Sequence, residues 1–594
     1  MTGASSRKFC PEILMDTRNT GVRDFMANIG PFDQRNNDAV LLVVGHRGTL
    51  RPVPSTGVGP LSFPSDDAAF AGNLPPIMEA LLGPWLATAS DRLKQRVPPE
   101  QRAFRGEPIP LDSLLLLLKD RLLGVLTQAV GASCLDAEEQ PASPVASDLF
   151  RKFPLLLSLI GSVVSEWVTA TVTFLERLHR DRQWIAAALQ LTALPPIESI
   201  CETTSDAHAG GHSVLRVGFV GGGCLYYKPR PVTGEWLWHA LLVAIARLDP
   251  ELRLPSARVL TNDVRFHYGW AESVFPEENS LSENSNERSN GDSMPVLDYW
   301  HAAGAMLCLA QHARLTDLHL GNIVATPWGP AVTDAECLAT PNLPVRPGTE
   351  TSLENAAIAG ALESIVSTGL LPIGRVSDQP DISGLFGHAT PVPGVELPGW
   401  AVSPEGRYHL ISVDAELVAH PNTPNQTTAI AVLPRMLSGY RHAAELLMRG
   451  RETLIGPGAR WRAVLEKAHA PRMVVRDTLS YGLLLGRSLG PRYLHSWYRR
   501  RNAILSGLDT ETSAGLPWSL LRTETTALLH MHVPRLVVLP DSRTLANSSG
   551  RPIARGFAAC TPAQPVLGQI EGLSTESIEN IQVPALLTSI LSLK

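Results

Sequence analysis

Thr316-Asp317-Leu318-His319-Leu320-Gly321-Asn322-Ile323-Val324, followed by Ala331-Val332-Thr333-Asp334-Ala335-Glu336, is the stretch from which the fold is read. An apolar run from Tyr299 to Leu309 leads into it with helical periodicity. Asp317 and Asn322 stand five residues apart, and Asp334 follows twelve residues later, after the strand-like run Pro330 to Thr333. One carboxylate placed to take a proton, then an amide oxygen and a second carboxylate placed to hold a hard cation, are the parts that phosphoryl transfer requires. In isolation the same letters also fit a helix C-terminus with a polar cap and a core histidine, so the upstream sequence has to decide.

Upstream, residues 205–230 read SDAHAGGHSVLRVGFVGGGCLYYKPR. Two β-patterned runs flank Gly221-Gly222-Gly223, which predicts a hairpin. A glycine-containing loop with Asp206 and His208 precedes it, and Lys228 ends its second strand. A glycine loop lets backbone N–H groups approach phosphates because no Cβ intervenes. A strand lysine then meets the phosphates as a point charge. The interval from Asp317 to Asn322 is also that between the base Asp and the metal-holding Asn of a kinase catalytic loop. Each piece also has a plainer reading: a solvated strand-end lysine for Lys228, turn residues for Asp206 and His208.

Working outward, 594 residues are enough for more than one lobe. Hydrophobic content of 44% and charged content of 18% fit a globular protein. A formal charge of −6 supplies no basic field and argues against nucleic acid as a partner. No uninterrupted apolar run approaches the roughly 18 residues of a membrane span, and the N-terminus lacks a signal-type apolar segment. The expectation is a cytoplasmic protein. The seven cysteines include no CxxC pair and read as free thiols, which disfavours a zinc site.

Residues 1 to about 75 are rich in Gly, Pro and Asn, with Leu42 to Val44 a candidate strand. Helical spacing of apolar residues starts at Pro76, resumes at Leu111, and returns from Phe153-Pro154 to Leu191, with a Pro/Ala/Ser loop over 138–147. A helix is expected from Trp236 to Leu248, with strands near 257–260 and 264–270. Residues 276–293 are polar and aperiodic and read as a disordered insert. Residues 373–427 read as loops and short strands, and helices follow over 428–448 and 461–468. In Pro471-Arg472-Met473-Val474-Val475-Arg476-Asp477-Thr478, two guanidinium forks and a hydroxyl are placed to converge on a phosphate, unless this is simply an exposed basic turn. Tyr498-Arg499-Arg500-Arg501 reads as a solvated basic helix face.

Taken together, these stretches resemble the dehydratase region of LanM enzymes, the class II lanthipeptide synthetases. DAHAGGHSVLRV…GGGCLYYKPR is similar to that family's GDxHxxGR…VYKPR segment, and TDLHLGNIVA…AVTDAEC to its TDxHxxNI…xxDxE segment. STGLLP…DISGLFG and RMVVRDTLSYGLLL match in order and spacing, and the likeness runs from about residue 76 to 545. It implies an α+β, lipid-kinase-like bilobal fold with extensive added helices. The expected organisation is a mostly helical region over 1–195, a kinase-like N-lobe over 196–295 and a C-lobe with helical elimination elements over 296–594. It further implies that ATP and Mg²⁺ are used to phosphorylate Ser and Thr of a ribosomally made precursor peptide with a leader. The phosphate is then eliminated to leave dehydroalanine or dehydrobutyrine.

Carried over by position, Lys228 contacts the nucleotide phosphates and Asp206 and His208 lie in the loop beside them. Asp317 is the phosphorylation base, helped by His319. Asn322 and Asp334 hold the metal and Glu336 supports that site. Arg472 and Thr478 serve elimination, with Arg476 between them. The family's C-terminal zinc cyclase has no counterpart here, so the expectation is a stand-alone dehydratase working beside a separate cyclase, if rings form at all. His532 stands where the family commonly has Asp. Two other readings stay open on the residues alone: a peptide or small-molecule kinase without lyase activity, and a non-catalytic peptide-binding partner.

Overall fold

The Gly221-Gly222-Gly223 turn closes a hairpin, and that hairpin lies at the centre of a five-stranded sheet. The computed structural model describes residues 50–52, 75–104, 106–135, 146–203, 210–252, 254–262, 266–274, 299–343, 360, 364–372, 381–387, 390–403, 408–417, 428–476, 478–509 and 516–591, all within a compact unit of residues 40–594. The sheet consists of β1 (Ile197–Glu202), β2 (Leu215–Phe219), β3 (Cys224–Lys228), β4 (Val259–Leu260) and β5 (Gly269–Glu272) in the order β1-β2-β3-β5-β4, every neighbour antiparallel. The three turn glycines have φ of +90°, +99° and +80°, a region that a residue with a Cβ enters only at a cost. Tyr227 in β3 packs against Trp270, ring centroids 5.0 Å apart, and against Phe174 at 5.2 Å. The strand that ends in Lys228 is thereby held to β5 and to the helix that carries Phe174.

One core unites this sheet with helices α1 (Pro76–Arg96), α2 (Leu111–Leu135) and α3 (Leu155–Ala188). α3 buries Leu156, Ile160, Val163, Trp167, Thr171 and Leu175, a stripe recurring every three to four residues. Its buried Asp181 accepts hydrogen bonds from Tyr268 (2.8 Å) and Trp270 (3.0 Å), which ties the helix to the sheet. As a continuous helix α3 is long and apolar enough in composition to cross a membrane, although no single apolar run in it is that long. More than half of its most apolar window is buried inside the fold, so packing accounts for that composition. The same core takes in side chains from α8 (Thr478–Ser488), α9 (Trp497–Leu508) and α10 (Trp518–Leu529).

A second core holds α4 (Thr233–Leu248), α5 (Tyr299–His312), α6 (Ala429–Ile455), α7 (Arg460–Lys467), α11 (Ala563–Glu571) and α12 (Val583–Leu591). α5 and α6 touch backbone to backbone. A Cβ on Gly304 would lie 1.9 Å from the carbonyl oxygen of Met436, and one on Gly439 would lie 1.8 Å from that of His301. This crossing sets the direction in which α5 delivers residues 313–322. β6 (Ile323–Thr326) and β7 (Gly329–Val332) follow as an antiparallel hairpin. Near the end of the chain, β10 (Leu536–Val538), β11 (Leu545–Asn547) and β12 (Pro552–Ala554) form a small sheet.

The α+β class is as expected, with two local corrections. Within 373–427, β8 (Thr390–Val402) and β9 (Tyr408–Leu417) pair as a long antiparallel ribbon rather than short strands. Pro391, Pro398 and the glycines of β8 mask its strand pattern. Arg500 is not on a solvated face: it is fully buried and donates to the carbonyls of Leu528 (3.0 Å) and Leu529 (2.6 Å) at the end of α10. Cys201, Cys308, Cys337 and Cys560 are free thiols. Leu42 to Val44, Asp206, His208, Asp477, the 138–145 part of the 138–147 loop and the 276–293 insert lie outside the described residues.

Candidate functional site

After α5 the chain turns sharply, with Arg314 at φ +49° and Asp317 at φ +65°. Aspartate tolerates this left-handed region better than most residues. Both flanks of the turn are pinned. The Leu318 N–H donates to Thr368 O (2.8 Å) and the Leu320 N–H to Ile382 O (2.9 Å). A Cβ on Gly384 would come within 2.3 Å of Leu318 O, so only glycine fits beside the loop there. Asn322 Nδ2 donates to Asp317 O at 2.8 Å and lies 3.3 Å from His319 Nε2, while the Gly321 N–H donates to His319 Nδ1 at 3.1 Å. Asp317, His319 and Asn322 thus form one small unit. Burial pushes the Asp317 carboxyl above its ordinary range; His319 and Arg472 oppose that rise, and Asp334 and Glu336 add to it.

The β6–β7 hairpin returns Asp334 beside this unit, with the Thr333 N–H donating to Asn322 O at 3.0 Å. α4 starts directly on top of it. A Cβ on Gly234 would sit 2.1 Å from Ala335 O, so the first turn of α4 rests on the backbone between Asp334 and Glu336. His469 fastens the same corner, with Nδ1 2.9 Å from Thr233 Oγ1 and Nε2 2.6 Å from Leu338 O. Burial lowers its pKa to about 4 despite the Leu338 carbonyl.

Lys228 Nζ donates to Thr333 O (2.7 Å) and to Glu235 Oε1 (2.9 Å). A strand lysine paired with a glutamate of the following helix is the arrangement kinases use. Burial alone would raise the Glu235 pKa, but Arg230 and Lys228 bring it down to about 2. Arg230 reaches Glu235 Oε1 (2.7 Å), Asp334 Oδ2 (2.6 Å) and Glu336 Oε2 (3.4 Å). Burial disfavours its charge, yet Asp334, Glu235 and Glu336 hold its pKa well above the usual value.

Glu336 is the hub. Besides Arg230 it accepts from Arg472 Nη1 at 2.7 Å and from Arg535 Nε at 2.9 Å. Arg472 is further fixed by its own N–H to Glu336 O (2.8 Å), and its neighbour Met473 donates to Leu536 O (2.8 Å). Arg472 Nη2 donates to Thr478 Oγ1 at 3.3 Å. Lys228, Asp334, Glu336, Arg472 and Thr478 therefore share one continuous network. The Asp317 carboxylate lies at its edge, 4.0 Å from Cys337 Sγ. Arg472 and Arg476 are partly buried, their side chains 12% and 11% exposed, rather than on an exposed turn, but they diverge: Arg476 Nε donates to Glu524 Oε1 at 3.0 Å, which also accepts from Tyr481 Oη at 2.6 Å. His532 Nε2 lies 2.7 Å from Glu166 Oε2 on α3, so the departure from the family's Asp is met by a carboxylate partner.

Among the described residues no three His, Cys, Asp or Glu side chains converge as a metal cage. Magnesium does not need one, since it is held by one or two protein oxygens together with phosphates. Asn322 and Asp334 fit that pattern, and Asp334 already faces a cation in the form of the Arg230 guanidinium. Three members of the network are additional to the residues picked out from the sequence. Glu235 had a usable signal, an acid in the first turn of the helix that follows Lys228. Arg230 was visible in the YYKPR motif, next to the lysine that drew attention. Arg535 had none, because its partner Glu336 is 199 positions away.

Residues 153–538 match the family described as Domain of unknown function (DUF4135). The Lacticin 481/lactococcin biosynthesis protein LcnDR2 of Lactococcus lactis subsp. lactis is 23% identical over 327 residues, which cover 52% of this chain and 32% of that protein. The chain therefore spans about a third of the length of the curated relative it matches. With the family match extending over well more than half of its length, the chain belongs to the DUF4135 family, that of the LanM-like lanthipeptide synthetases.

Proposed function

We propose that this chain dehydrates Ser and Thr side chains of a ribosomally made precursor peptide, as an ATP-dependent kinase and phosphate lyase on a lipid-kinase-like bilobal fold. The observation that carries this reading is the Glu336 hub, which joins Arg230 and Asp334 on one side to Arg472 and Thr478 on the other. The likeness to a lacticin 481/lactococcin biosynthesis protein supports the peptide as substrate.

In the first step the substrate hydroxyl oxygen bonds to the γ-phosphorus, the bond from that phosphorus to ADP breaks, and Asp317 takes the hydroxyl proton. Lys228, oriented by Glu235, meets the phosphates as a point charge. Asn322 and Asp334 are the residues that would hold Mg²⁺, whose charge offsets that of the phosphates. In the second step a base takes the α-proton, the Cα–Cβ double bond forms, and the Cβ–O bond breaks to release phosphate. Arg472, with Thr478 beside it, receives the departing charge. One pocket serves both steps because both stabilise the same phosphate. A cytoplasmic location fits the requirement for ATP.

Incubation with the precursor peptide, ATP and Mg²⁺ is expected to remove one water per modified residue, read by mass spectrometry. Arg472→Ala is expected to accumulate phosphopeptide. Stable phosphopeptide from the unaltered protein would instead favour a kinase without lyase activity. Peptide binding with no ATP turnover would favour a binding partner.

A further inference from the structure

Arg230 is set among three carboxylates on two segments of chain, and its side chain is only 8% exposed. Its links to Glu235 and Glu336 are buried at both ends. Its link to Asp334 is different: the Asp334 side chain is 28% exposed, which makes this the open side of the cluster. Asp334 has both oxygens engaged, Oδ2 by Arg230 at 2.6 Å and Oδ1 by the Glu336 N–H at 3.0 Å. A divalent cation on Oδ2 and a guanidinium nitrogen at that distance would repel each other strongly in a poorly solvated site. The two compete for one carboxylate. Meanwhile Glu235 Oε2 is buried with no hydrogen-bond partner among the described residues, so the acid cluster has unused capacity to keep a guanidinium once Asp334 is released.

We propose that Arg230 is the resident counter-ion of this pocket: it holds Asp334 while no divalent cation is bound and turns to a nucleotide phosphate oxygen when one takes its place. The inference rests on the phosphoryl-transfer reading above. A nucleoside triphosphate brings more negative charge than one divalent cation neutralises, and the released guanidinium supplies part of the difference. The pocket thereby leaves the half-buried Asp334 carboxylate with a counter-charge in either state.

The test is Mn²⁺ binding to nucleotide-free protein, followed by electron paramagnetic resonance, alongside calorimetric binding of ADP in the presence of EDTA. Arg230→Gln is expected to bind Mn²⁺ at least tenfold more tightly than the unaltered protein and metal-free ADP at least tenfold more weakly. Arg230→Lys keeps the charge and guards against a folding failure of the Gln variant; its shorter reach is expected to give intermediate values. The Mn²⁺ gain is expected to vanish in the double variant with Asp334→Asn. Mn²⁺ affinities within twofold of one another in the unaltered protein and both Arg230 variants, or a gain that survives Asp334→Asn, would overturn the inference while leaving phosphorylation in place if Mg·ATP still binds. An unaltered protein that binds no Mg·ATP overturns both.

Discussion

Asp317 keeps its carboxyl where burial opposes ionisation, and Asp334 and Glu336 add to that opposition. A base must nevertheless be ionised to take a proton. Phosphorylation is therefore expected to rise with pH through an apparent pKa above the ordinary aspartate value of about 3.9. The measurement is kcat/KM for phosphopeptide formation against pH in the Arg472→Ala background, and an acid limb at the ordinary value would count against Asp317 as the base. The sign for stability follows from the same raised pKa. A carboxyl favoured in its protonated form in the folded state stabilises that state below its unfolded pKa and loses this contribution as pH rises through its folded pKa. Asp317→Asn is thus expected to unfold at a higher temperature than the parent at neutral pH, with the difference shrinking in acid, while phosphorylation is lost. Such an exchange of stability for activity is common where a site holds a group in an unfavourable state.

The α4 N-terminus shows how an element rather than a residue assembles the pocket. Gly234 allows the helix to rest on Ala335, and through that contact Glu235 reaches Lys228 and Arg230. Gly234→Ala is expected to destabilise the protein by about 1–3 kcal/mol, the usual cost of overpacking, because the neighbour is backbone and cannot rotate away. Gly161 lies inside α3, in its second turn, with nothing within 4 Å of its Cβ position. Gly161→Ala is therefore expected to stabilise by up to about 1 kcal/mol through helix propensity. Thermal melts of the two variants check the opposite signs. What could be read beforehand follows the same local logic. The β2–β3 hairpin was legible because three glycines and two alternating runs are adjacent in sequence, and the Asp317-to-Asp334 segment because its spacing is fixed by one turn and one hairpin. Arg500, Arg535 and the β8–β9 ribbon were not legible. The burial of the two arginines depends on Leu528 and Glu336, which no local window contains, whereas the strands of the ribbon are adjacent but their pattern is masked by the prolines and glycines of β8.

At the scale of the whole molecule, the residues proposed for elimination hang from elements that share a core with α1, α2 and α3. Thr478 opens α8, whose Tyr481 and Leu485 are buried in the same cluster as Leu118, Leu122 and Leu126 of α2 and Leu156 and Ile160 of α3. Leu508 of α9 and Leu528 of α10 join them, and His532 reaches Glu166 on α3 directly. The inner face of the five-stranded sheet, with Val217, Leu225, Tyr227 and Trp270, closes on that cluster too. Helices α1 to α3 therefore act as the packing partner of both the five-stranded sheet and helices α8 to α10. A chain beginning at residue 196 leaves both apolar faces open, an exposed area far beyond what a soluble monomer tolerates. It is expected to show no cooperative thermal transition by circular dichroism and to bind a hydrophobic dye strongly, as loosely packed states do. A cooperative transition together with retained Mg·ATP binding would instead mean that the kinase-like half folds independently, with the shared core contributing to elimination alone.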